Sequence, residues 1–208
     1  MTLNYLVQNN RYFILHPVAV EEAYPEPHRI LIFHNVLTLA ETDLLAQVAK
    51  PLMAVSQIGA SKEISENRIS RTAFIPDNQY EIVDRINRRI NLLTGLSGSV
   101  VLDPEGKKEE FEYLQIASYG TGGHFYLHHD PMFVYKDSNF VSKSVERVTK
   151  PYNTGDRMTT LMFYLTEVKQ GGYTAFPRLG VSVRYVVFSQ AQFGCCCVMQ
   201  DYFIAGFV

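Results

Sequence analysis

What most constrains this chain is a change of period. Two capped amphipathic helices in its first half are set among, and followed by, short β-rich runs. The first helix is announced by Thr38-Leu-Ala-Glu41, a capping-box pattern, followed by Leu44, Leu45 and Val48 on one face and by a Lys50-Pro51 stop. The second is predicted over 81–94, with Ile82, Val83, Ile86, Ile90 and Leu93 at helical spacing and Gly95 as the closing residue. Residues 68–74, 111–119, 124–130, 157–166, 173–176 and 181–188 read as strands. Short strands supported by a few helices predict an α+β domain whose β part is a sandwich or jelly roll.

The chain has 208 residues, enough for one domain with a sizeable core. At 47% hydrophobic and 19% charged residues with a net charge of −2, it has no basic excess for a phosphate backbone, so no nucleic-acid partner is expected. No apolar stretch approaches the ~18 residues a membrane span needs. The opening residues lack the basic and apolar regions of a secretory signal, so a literal reading is cytosolic. Cys195, Cys196 and Cys197 are consecutive, which gives neither a disulfide framework nor the spacing of a zinc site.

The chemistry concentrates in Tyr119-Gly-Thr-Gly-Gly-His-Phe-Tyr-Leu-His128-His129-Asp130. In an extended strand, side chains two apart share a face, so His128 and Asp130 converge while His129 turns away. An imidazole and a carboxylate so placed are two of the three donors of a 2-His-1-carboxylate iron site. A bare His-x-Asp is also a common pair of surface polar groups, and the third donor has to come from elsewhere. His16, His28 and His34 lie among Pro or apolar residues and read as surface or core-edge histidines. Residues 135–156 are polar and read as a long loop beside the site. Arg157 heads the strand that follows it.

Taken in order, several motifs carry a resemblance that none carries alone. They are Ile32-Phe-His-Asn-Val36, Arg68-Ile-Ser-Arg-Thr-Ala-Phe74, Ile86-Asn-Arg-Arg-Ile-Asn-Leu-Leu-Thr-Gly95, Leu114-Gln-Ile-Ala-Ser-Tyr119, Gly122-Gly-His-Phe-Tyr-Leu-His-His-Asp130, Arg157-Met-Thr-Thr-Leu-Met-Phe-Tyr-Leu165 and Gly171-Gly-Tyr-Thr-Ala-Phe-Pro177. With them, residues 12–184 closely resemble the catalytic domain of the collagen prolyl 4-hydroxylase α subunits, which are Fe(II)- and 2-oxoglutarate-dependent dioxygenases. The resemblance implies a double-stranded β-helix, or jelly roll, with supporting N-terminal helices. It implies that His128 and Asp130 ligate iron, and that Tyr119 and Thr160 line the pocket of the co-substrate 2-oxoglutarate. It further implies procollagen-proline 4-dioxygenase activity with ascorbate as reductant, a collagen-like proline-containing peptide as substrate, a protein disulfide isomerase-type β subunit as partner, and the endoplasmic reticulum lumen as location.

The resemblance ends at Arg184. The family's second iron histidine and its 2-oxoglutarate lysine have no counterpart, because the last histidine is His129 and the last lysine is Lys169. Residues 185–208 form a divergent apolar tail with one charge, Asp201, which fits either a buried pair of strands or a replaced terminus. The domain over 12–184 is therefore expected to be incomplete, its late strands missing or replaced. The alternative to an active hydroxylase is a catalytically inactive truncated isoform or binding module.

Overall fold

The structure, a computed structural model, describes residues 3–6, 17–58, 64–77, 79–96, 112–130, 157, 159–183, 193–200 and 204–207. The strand readings around 111 and 185–188, the 135–156 loop and Asp201 lie outside the described residues. In chain order the elements are β1 (Leu3–Leu6), β2 (Val18–Tyr24), β3 (Ile30–Thr38), α1 (Leu39–Ala49), a 3-10 turn (Lys50–Leu52), β4 (Ala54–Val55), β5 (Arg71–Ile75), α2 (Glu81–Thr94), β6 (Leu114–Ser118), β7 (Phe125–His129), β8 (Thr159–Phe163), β9 (Thr174–Phe176), β10 (Val181–Val183), β11 (Phe193–Gln200) and β12 (Ile204–Phe207).

Both helices form where their end signals lie. The Glu41 N–H donates to Thr38 Oγ1 at 3.3 Å and the Thr38 N–H donates to the Glu41 carboxylate at 2.8 Å, so α1 begins with both halves of the capping box. It gives way at Lys50 to the 3-10 turn that contains Pro51. The α2 helix is closed by Gly95 at φ 76°, whose N–H donates to the Asn91 carbonyl at 2.7 Å; glycine takes this left-handed conformation without a Cβ clash. Ile82, Val83, Ile86 and Ile90 of α2 are buried against Leu45 and Ala49 of α1 and against Ala73, Ile75 and Ile116 of β5 and β6. Each such side chain taken out of water contributes about 1.5–3 kcal/mol.

One charge pair ties the helices together. Arg89 of α2 donates from Nη2 to Glu41 Oε1 and from Nη1 to Oε2, both at 2.9 Å, and from Nη1 to the Val36 carbonyl at 2.6 Å. Burial raises the Glu41 pKa, but the Arg89 and Thr38 hydrogen bonds and the Arg89 charge outweigh it and bring it down to about 2.

All strand pairings among the described residues are antiparallel, which makes this a β-rich fold with few helices. The strands form three sheets in the orders β1-β2-β3-β11-β8, β10-β9-β12-β7 and β4-β5-β6. The tail supplies an inner strand to each of the first two. β11 is hydrogen-bonded to β3 on one side and β8 on the other, and β12 lies between β9 and β7. The edges that a chain ending at Arg184 would leave open are thereby paired. Where β3 meets β11, the register moves from Gly194↔Leu37 to Cys196↔Phe33, and the extra length in β3 holds Asn35 at φ 63°. Asparagine is among the few side chains that tolerate this region.

Candidate functional site

The site is built at one edge of each large sheet. β7 and β8 each end the order of their sheet, and the Thr160 hydroxyl of β8 donates to Asp130 Oδ2, just past β7. His128 Nε2 stands 3.5 Å from Asp130 Oδ1, so the predicted His-x-Asp pair does converge. Two donors bound at right angles, each about 2.1 Å from a metal ion, lie about 3 Å apart, so this pair fits one edge of a coordination sphere. On its far side His128 Nδ1 lies 2.8 Å from the Tyr126 carbonyl. A carbonyl only accepts, so Nδ1 carries a proton, and Nε2 is the nitrogen turned to Asp130: protonated, it donates to the carboxylate, and deprotonated, it offers a lone pair to a metal ion.

Asp130 is held ionised. Burial pushes its carboxyl up, but hydrogen bonds from His128 and Thr160, with the charges of His128 and Arg157, bring it below the usual carboxylate range. Arg157 also donates to the Asp130 main-chain carbonyl at 3.3 Å and is paired with Glu112, from Nη2 to Oε2 at 2.9 Å and from Nε to Oε1. Glu112 thus fixes the arginine that fixes Asp130. Glu112 was not among the expected site residues, and neither was this bond.

A local irregularity in β7 was also beyond reach of the sequence. Its register against β12 is His129↔Ile204 and His128↔Ala205, then Phe125↔Phe207, so three steps on β7 match two on β12. One residue is extra, as in a β-bulge, and the consecutive Tyr126 and Leu127 are both exposed, at 60% and 52%. The bulge breaks the period of two and brings Phe125 onto the His128 face, where the rings stack with centroids 3.7 Å apart and planes 19° from parallel.

The Tyr119–His124 turn leads from β6 into β7 with Tyr119 half-buried at its start. Gly123 allows a close approach, since a β-carbon there would lie 2.8 Å from the Ile69 carbonyl. Across this contact the Ile69 N–H donates to the His124 carbonyl and the Tyr126 N–H to the Asn67 carbonyl, both at 2.8 Å. His124 places Nε2 3.0 Å from the Glu66 carbonyl and Nδ1 3.2 Å from the Gly122 carbonyl, which makes it a clasp between the two segments. His34 lies apart, 3.3 Å from Glu21 across β2 and β3. Among the described residues, no third His, Cys, Asp or Glu joins His128 and Asp130 in a metal-holding group.

No family model matches the chain. Individual proteins do: it is 34% identical over 178 residues to the human prolyl 4-hydroxylase subunit alpha-1, covering 84% of this chain and 30% of that protein. The Caenorhabditis elegans subunit alpha-2 is 32% identical over 183 residues, 86% of this chain and 30% of its own length. The human subunit alpha-3 is 31% identical over 185 residues, 88% of this chain and 30% of its own length. These similarities put the chain in a family of dioxygenase enzymes. It belongs, over the matched region, with the prolyl 4-hydroxylase α subunits, and spans about 30% of the length of the curated relatives it matches.

Proposed function

We propose that this chain carries the catalytic core of a peptidyl-proline 4-hydroxylase, with residues 12–184 as the dioxygenase domain and 185–208 as a divergent tail that completes its sheets in a jelly-roll arrangement. The observation that carries this reading is the His128 Nε2 to Asp130 Oδ1 approach at 3.5 Å, with the imidazole tautomer set by Tyr126. His128 and Asp130 would hold Fe(II). When bound, the iron supplies the redox chemistry that couples oxidative decarboxylation of 2-oxoglutarate to hydroxylation of proline, with ascorbate as its reductant.

The protein's own part is placement. Thr160 holds Asp130 Oδ2, and its single hydroxyl proton, committed there, is not shared with an anionic co-substrate. Tyr119 is then the phenol assigned to the distal carboxylate of 2-oxoglutarate, with Thr160 bordering the same space. The substrate is a proline-containing, collagen-like peptide. A protein disulfide isomerase-type β subunit and the endoplasmic reticulum lumen belong to the same reading; among the described residues no helix is long and apolar enough to cross a membrane.

A second reading, a catalytically inactive binding module, is favoured by one register. Ala205 is the ladder partner of His128 on β12. The test is Fe(II)-dependent decarboxylation of 2-oxoglutarate by the purified chain with a proline-rich peptide, beside His128→Ala. Turnover above that variant supports the hydroxylase. Its absence in folded protein that still binds the peptide supports the binding module.

A further inference from the structure

We propose that Arg68 and Phe125 are positioning residues for His128, acting as a cation, ring and imidazole series that fixes the plane of the donor ring. This deepens the metal-site reading above and rests on it. Arg68 opens the Arg68-Ile-Ser-Arg71 motif three residues before β5 and is drawn to β7 by an isolated antiparallel bridge to Phe125. Its guanidinium carbon lies 4.7 Å from the centroid of the Phe125 ring, within cation–π range. The same ring stacks on His128 at 3.7 Å and 19°.

A second observation points the same way. Arg68 Nε is buried, and among the described residues it has no hydrogen-bond partner. An arginine at such a site usually satisfies its N–H groups, because a buried donor left unpaired carries its full desolvation penalty. What this side chain does have is the Phe125 ring. In a regular strand Phe125 and His128 would point to opposite faces, and the extra residue in β7 puts them together. The Tyr126 hydrogen bond anchors Nδ1 and leaves Nε2 turned to Asp130, while the stack fixes the tilt of the ring about that bond. Outer-shell partners of a ligating histidine commonly matter about 10 to 100-fold in metal affinity.

The test has two readouts on the full chain with Arg68→Met, Arg68→Lys, Phe125→Leu, Phe125→Tyr and His128→Ala. The first is NMR of the His128 ring protons without metal, where stacking produces an upfield ring-current shift. The second is Mn(II) affinity, with thermal melting to confirm folding. The shift is expected in the wild type, lost in Phe125→Leu, reduced in Arg68→Met, and restored in Phe125→Tyr and Arg68→Lys. Mn(II) affinity should fall about tenfold or more in Phe125→Leu. Arg68→Met should add little in the Phe125→Leu background, because the two act through one ring. Wild-type Mn(II) affinity in folded Phe125→Leu, with binding abolished by His128→Ala, would overturn the positioning role and leave the metal site standing. A normal ring-current shift with no Mn(II) binding by the wild type would instead overturn the metal reading and the positioning role with it.

Discussion

At the scale of single residues, pairs separated far along the chain do the decisive work. Arg89→Met leaves Glu41 buried at 7% exposure without its guanidinium, and should cost about 2–4 kcal/mol in denaturant unfolding. The sign with pH follows from the same pair. Glu41 titrates near 2 when folded and near 4.5 when not, so its contribution is fully present above pH 4.5 and is lost as pH falls from about 4.5 towards 2. Over that range the wild type should lose more stability than Arg89→Met, measured by denaturation at each pH. At the site, Thr160→Val should weaken Mn(II) binding while Thr160→Ser keeps it, because only the hydroxyl reaches Asp130. The His128 and Asp130 pair was legible because it depends on a two-residue period. The Glu41 to Arg89 pair spans 48 positions, and no local pattern announces it.

At the scale of elements, legibility followed whether a signal is local. Both helix ends were readable, since a capping box and a closing glycine act within a few residues of the helix they bound. The strand runs expected from residue 68 onward match β5 to β10 to within a few residues over the described residues, whereas β1 to β4 were not expected as strands; no partners were readable, because pairing is settled by chain segments far apart. The bulge in β7 illustrates this: nothing in Phe125-Tyr-Leu-His128 marks an extra residue until β12 lies beside it. Gly123→Ala would force the Ile69 carbonyl away, separating the 67–69 segment from β7 and destabilising the fold by about 1–3 kcal/mol, a shift readable by thermal melting. Ala205 is the Cα partner of His128 in the β12–β7 ladder. Ala205→His should therefore raise Mn(II) affinity by about tenfold or more by adding a donor.

At the scale of the whole molecule, the tail supplies an inner strand to each of the two larger sheets. Its apolar composition suits strands hydrogen-bonded on both sides, the places β11 and β12 take up. The sequence left open whether these residues were strands or a replaced terminus, since composition alone does not say what a strand pairs with. Having joined β7 to β9, β12 offers alanine where the ladder passes His128. His128 and Asp130 are proposed to hold a divalent metal ion in this chain, whatever its turnover. The most direct measurement is anaerobic Fe(II) titration of the wild type, His128→Ala and Asp130→Ala, each shown to be folded. One bound ion is expected in the wild type and little or none in either variant. Equal binding by all three, or none by the wild type, would contradict it.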